Sequence, residues 1–172
     1  MDQTMASLKD LFAEPGADLE PQFEHFSSSL DHLISSARRT EHTGRQMQQK
    51  SAAYFQAWDQ QLQTIDFQHI RDVSEARRTE VTNHVEALNR RYRESQEAVQ
   101  PLISYLLDIR KALSTDLTAG GLESLKGVIG NANANAAKVQ VALSALTTEL
   151  TNSSTRLASV AYQAPEKAPS PP

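Results

Sequence analysis

The chain has no cysteine among its 172 residues. That excludes disulfides, thiolate metal sites, a cysteine nucleophile and any lipid-modified cysteine within this stretch, and leaves the redox compartment open. Long apolar runs are lacking too. No segment approaches the roughly 18 to 20 consecutive apolar residues of a helical membrane span, and the residues from Met1 onward show no basic start followed by an apolar run. An excess of positive charge is equally missing. With 17 basic residues spread among 21 acidic ones, the formal net charge is −4 and the pI is near 5.7, so there is no overall basic field for a nucleic-acid partner. The length suits one domain and could not bury two independent cores of ordinary size.

What is present is helical periodicity. From Leu122 to Val160 an apolar or small residue returns at alternating steps of three and four: Leu122, Leu125, Ile129, Ala132, Ala136, Val139, Leu143, Leu146, Leu150, Ser153, Leu157, Val160. Such spacing defines a coiled-coil seam. Two earlier stretches carry the same pattern. In the first, the rows Phe23, Leu30, Ala37, Gly44, Ser51, Trp58, Ile65 and Phe26, Leu33, Thr40, Met47, Tyr54, Gln61 are large at both ends and small in the middle. In the second, the rows are Val81, Leu88, Ser95, Leu102, Ile109 and Val85, Tyr92, Val99, Leu106, Leu113.

These patterns predict an all-α fold: an elongated antiparallel three-helix bundle over 17–161, with helices at about 19–63, 67–113 and 119–160. A short amphipathic helix over 4–13 precedes it, placing Met5, Leu8, Leu11 and Phe12 on one side and ending at Pro15-Gly16. It is a candidate remnant of a fourth bundle helix. Asp18, Asp66 and Thr118 are the expected N-caps, and Pro21 fits the first turn of its helix. Gly120-Gly121 marks the clearest turn, and Pro101 predicts a kink. Residues 162–172, rich in proline, are expected to be a disordered tail. Where the middle of the first long helix is thin, Leu88 and Tyr92 are the natural side chains to fill the space, level with Ala132 and Ala136 of the last helix.

Catalytic constellations do not emerge. His25, Asp31 and His32 lie within two turns of one another, but bundle metal sites draw ligands from several helices, typically with Glu-x-x-His motifs, and none occurs here. Glu80 and His84 are a commonplace surface pair. No cofactor is implied. Arg77, Arg78, Arg90, Arg91 and Arg93 sit within reach of Glu75, Glu80, Glu86, Glu94 and Glu97, and residues 66–115 hold eight bases against eight acids, the pattern of a laced, solvent-facing stripe. Residues 2–31 are the opposite case, with seven acids against Lys9 alone. Tyr54, Phe55 and Trp58 form the densest aromatic cluster, expected to pack in the core near the end of the rod.

The last helix carries an outer face of Ser, Thr, Asn and Gln with very few charges. Solvated coiled coils ordinarily charge that face, and a weakly charged one is cheaper to desolvate. Asn133, Gln140, Ser144, Thr147, Thr148 and Asn152 are therefore the candidate interaction face, for a protein partner or for self-association. An alternative is an apolar ligand or lipid surface admitted where Ala37, Gly44, Ala132 and Ala136 thin the bundle.

Several blocks carry a resemblance. Residues 17–24 (Ala-Asp-Leu-Glu-Pro-Gln-Phe-Glu), 54–58 (Tyr-Phe-Gln-Ala-Trp) and 74–78 (Ser-Glu-Ala-Arg-Arg), then Gln100-Pro101-Leu102, Ser104-Tyr105-Leu106, Asp108-Ile109 and 116–121, resemble the uncharacterised bacterial family called domain of unknown function 2959 (DUF2959). The similarity spans about 15–157. It implies a long helical bundle of the cell envelope with no established activity, often an exported protein or lipoprotein with an export signal and more helix upstream. This chain starts close to the Pro15-Gly16 break, so the expectation is that Met1 is an internal start. Membrane contact would then come only through an N-terminal anchor ahead of it. The resemblance and the missing catalytic sets together point to a non-enzymatic scaffold or interaction module.

Overall fold

The computed structural model describes residues 1–13, 15 and 18–160, the last four of these by backbone alone. Five helices follow in order, α1 (Asp2–Ala13), α2 (Glu20–Leu62), α3 (Gln68–Thr115), α4 (Ala119–Leu125) and α5 (Val128–Val160), with no strand among the described residues. At about 1.5 Å per residue, the 48-residue α3 makes a rod roughly 70 Å long. The proline-rich tail expected over 162–172 lies outside the described residues.

Side-chain bonds between helices fix the directions. Thr4 Oγ1 donates to the Ser29 carbonyl at 3.0 Å, Ser7 and Ser29 share a hydroxyl bond at 2.8 Å, and Gln22 Nε2 reaches Asp10 at 3.4 Å, so α1 runs antiparallel to α2. Asp31 pairs with Arg110 at 2.6 Å near one end, Tyr92 Oη donates toward the Thr40 and Glu41 carbonyls at 3.3 Å in the middle, and Arg78 donates to Asp59 at 2.7 Å near the other end. Those three ties run α3 back along α2. Tyr105 Oη donates to the Val128 carbonyl at 3.2 Å where α5 begins its return beside α3.

The helix boundaries follow local chemistry, with some departures from expectation. Thr118 caps α4, accepting from Gly121 N at 3.1 Å while its own hydroxyl donates to Asp116 at 2.7 Å. Gly120 and Gly121 therefore open α4 instead of forming the turn. A Cβ on Gly121 would run into the Asp116 carbonyl, so the close approach requires glycine there. Leu19 takes the cap position of α2; Asp18 sits one residue earlier and accepts from Glu20 N at 3.0 Å. Pro21 falls in the first turn of α2, where its missing N–H costs nothing. Phe67, not Asp66, is the N-cap of α3 and makes no side-chain cap bond. The span 119–160 is divided at Lys126 and Gly127 into α4 and α5. Pro101 lies inside α3, which continues through it.

One contiguous core occupies the end of the rod that holds α1. It joins Leu8, Leu11 and Phe12 of α1, Phe26 and Leu30 of α2, Leu102, Leu106, Ile109 and Leu113 of α3, Leu122 of α4, and Ala132, Ala136 and Val139 of α5. Each fully buried leucine among them contributes about 1.5–3 kcal/mol relative to exposure. In this section the bundle has four helices, since α1 lies in the groove between α2 and α5 and stays parallel to α3. At the other end α2, α3 and α5 run on without α1, and among the described residues its buried apolar side chains are Leu62, Val81 and Tyr92.

The thin middle of α2 is filled as expected by Tyr92, whose ring occupies the space where Gly44 would carry a Cβ. Its hydroxyl also accepts from Gln96 Nε2 at 2.7 Å, so the phenol oxygen is tied both to α2 and to its own helix. Level with Gly44 on α5, however, are Leu146 and Leu150, not the alanines. Ala132 and Ala136 lie deeper in the four-helix section, inside the core.

Candidate functional site

Every residue of the expected interaction face, Asn133, Gln140, Ser144, Thr147, Thr148 and Asn152, is exposed. The structure brings only part of the set together. Gln140, Ser144, Thr147 and Thr148 line a shallow cleft with Leu143 and with Met1 and Asp2 at the start of α1. Asn133 and Asn152 lie outside that cleft.

Three threonine hydroxyls on this stretch are already bonded within the helix. Thr147 donates to the Leu143 carbonyl at 2.9 Å, Thr148 to Ser144 at 2.9 Å, and Thr151 to Thr147 at 3.0 Å. Threonines bonded to their own helix turn methyl groups outward and lose little when water leaves. Beside them Leu143 and Leu150, both seam residues, remain 39% and 47% exposed. The same seam is closed lower down, where Ala132 is fully buried and Val139 nearly so. Periodicity placed these leucines on the seam correctly; it could not show how deeply each seam position is buried.

Two further clefts continue the first along the rod. One is a cavity of about 180 Å³ between Met1, Leu33, Ser36, Ala37, Val99, Val139 and Leu143. Beyond it Thr43, Gly44 and Met47 of α2 face Leu146 and Leu150 of α5 across a floor of Leu88 and Tyr92. Together they form an open groove in line with α1. Of the four positions expected to thin the bundle, Gly44 is stopped by Tyr92 and the two alanines of α5 are buried in the core, so Ala37 alone faces the 180 Å³ cavity.

The other candidates are distributed along the surface. His25, Asp31 and His32 are exposed, and the described residues contain no group of three or more His, Asp or Glu placed to hold a metal ion. Glu80 and His84 stand 3.9 Å apart on α3. The basic stripe is partly laced, through Arg77–Glu80 at 2.6 Å and Arg91–Glu94 at 2.8 Å, and the Glu94 bond raises the pKa of Arg91. Arg78 instead crosses to Asp59 and lies over the Phe55 ring at 5.5 Å, an interhelical clasp that helical spacing within α3 could not reveal.

The aromatic cluster departs from its expected core position. Tyr54 meets Phe55 and Trp58 edge-on at 5.7 and 5.5 Å, and Trp58 Nε1 donates to Ser74 Oγ at 3.0 Å, yet Tyr54 is 57% exposed. It sits on the side of α2 that α1 covers farther down, and nothing described covers it here. Burial raises the pKa of Tyr92, with Glu41 adding to the effect and Arg45 opposing it. No described helix is long and apolar enough to cross a membrane.

An antiparallel helical bundle with an open interhelical groove is thus the class of protein these residues define. Residues 1–159 match the model of the family described as protein of unknown function DUF2959, and the chain belongs to that family. No curated protein and no solved structure matches it.

Proposed function

We propose that this protein is a non-enzymatic helical scaffold or interaction module of the bacterial cell envelope, docking a protein partner on the uncharged side of α5. The observation that carries the reading is the pairing, on one stretch of α5, of half-exposed Leu143 and Leu150 with threonines whose hydroxyls are already bonded within the helix. That surface has apolar area to bury and, among Gln140, Ser144, Thr147 and Thr148, no charged side chain to strip of water. The envelope location comes from the resemblance of the sequence blocks, and it accords with an activity that consists of binding.

The test is a photoreactive residue placed at Thr147 in cells of the source bacterium, with a second at Ser104 on the exposed side of α3. The expected result is a discrete adduct at Thr147, recovered with the envelope fraction, and none at Ser104. Equal labelling at both sites, or adducts at neither, contradicts the reading.

A further inference from the structure

Met1 and Asp2 of α1 abut Gln140, Leu143 and Thr147 on one flank of α5. The other flank, beside α3, carries a second run of three-four steps. Ala134, Lys138, Val141, Ala145, Thr148 and Asn152 follow one another at that spacing outside the core seam, so they share one face of the helix. All but Ala145 are exposed, Val141 by 72%. A shallow groove of about 450 Å³ runs along this face, with Ala137, Val141, Ala142 and Ala145 as its floor and the Arg91–Glu94 pair of α3 as its rim. From 139 to 148 α5 carries no charge; Lys138 stands at one end of that stretch and Glu149 at the other. Lys138 makes no ion pair among the described residues. Glu149 lies within electrostatic reach of Arg91, which places it along the same rim.

We infer that two copies of this chain associate through this face, α5 packing antiparallel on the partner's α5 in the groove beside α3. This goes beyond the docking of a different protein near Thr147, because it uses the other flank of α5 and names the occupant. The charges specify the geometry. Lys138 and Glu149 are opposite in sign and eleven residues apart, about 16 Å or three turns. A two-fold axis level with residues 143 and 144 therefore sets each Lys138 against the partner's Glu149. The same axis brings Val141 against the partner's Ala145 and Ala134 against the partner's Asn152. A parallel pairing would instead oppose lysine to lysine and glutamate to glutamate. Alanines on both sides let the two helices approach closely, so that Val141 is covered. The stem of Lys138 lies along the seam while its ammonium reaches the edge, and a charged residue at a seam position fixes the register. One helix face on each side makes a small interface, so the association should be of micromolar strength or weaker.

Sedimentation equilibrium of the 172-residue chain tests the pairing. The expected result is a monomer–dimer equilibrium that Val141→Glu weakens at least tenfold while the melting curve stays intact. Lys138→Glu alone and Glu149→Lys alone should each weaken it at least tenfold, since each sets like charges opposite one another. Mixed in equal amounts, these two variants should form a heterodimer about as tight as the parent dimer, a recovery that loss of the fold could not produce. Because the chain lacks cysteine, a spin label on Ala134→Cys reports the orientation. Antiparallel pairing separates the two labels by roughly 27 Å along the axis, the length of the 18 residues from 134 to 152, whereas parallel pairing brings them within about 15 Å. A chain that stays monomeric at about 500 μM, a dimer indifferent to Val141→Glu, no recovery on mixing, or labels within about 15 Å overturns the inference. A dimer dissolved by Leu150→Glu and not by Val141→Glu would put self-association on the opposite flank of α5 and overturn it as well. An adduct at Thr147 is independent of all these outcomes, so the docking reading stands or falls by its own test.

Discussion

The two ends of the rod are built from the same seams and differ in one helix. Where α1 lies between α2 and α5, Leu8, Leu11, Phe26, Leu30, Leu106 and Leu113 are completely buried. Past Met1 the seams continue with comparable residues, yet Leu143, Leu150 and Tyr54 stay roughly half exposed. The difference is geometric. Three helices meeting along an axis leave a lengthwise groove that a fourth can close, and side chains facing that groove remain wet until something enters it. Heptad quality therefore sets which residues face inward, while the number of helices present sets whether they are buried.

The comparison can be broken or sharpened by substitution. Phe26→Ala in the four-helix section should cost about 3–5 kcal/mol in chemical denaturation, whereas Leu150→Ala in the open section should cost under about 1 kcal/mol because its area is half exposed already. Similar costs at the two sites would break the distinction. At the boundary, Gly44→Ala places a methyl group against the Tyr92 ring. Overpacking costs about 1–3 kcal/mol, and the gain in helix propensity offsets up to about 1 kcal/mol. The variant should be less stable by roughly 1 kcal/mol, and Tyr92→Leu in the same chain should restore most of the loss.

A smaller effect concerns alkali. Burial raises the Tyr92 pKa above its ordinary value of 10.0, so the folded state favours the neutral phenol. That contribution is complete below about pH 10 and is lost as the pH rises through the raised folded value. Melting temperature should fall above about pH 10, less steeply in Tyr92→Phe. At neutral pH the same variant should lose about 0.5–1.5 kcal/mol with the phenol's hydrogen bonds.

Much of this architecture is legible in the residues. The three long seams, the Thr118 cap, the place of Pro21 and the filling of the Gly44 gap by Tyr92 all follow from spacing and size. Depth of burial does not, since sealed and open positions follow one another on a single seam: Val139 is closed off while Leu143, four residues on, is open. Phe67 at 75% exposure shows the same limit at the α2–α3 turn, where an apolar side chain takes a cap position in place of Asp66. Of the candidate face, Gln140, Ser144, Thr147 and Thr148 come together because their side of α5 abuts the start of α1. Asn133 and Asn152 share their chemistry but not that neighbour, and composition alone treats all six alike.

Native-state hydrogen exchange, resolved along the chain, tests the contrast between the two ends most directly. Amides of residues 26–34, 102–113 and 129–139 should open only with global unfolding, while those of 43–58, 72–88 and 143–153 should exchange through smaller openings at lower free energy. Uniform protection along α2, α3 and α5 would contradict the account.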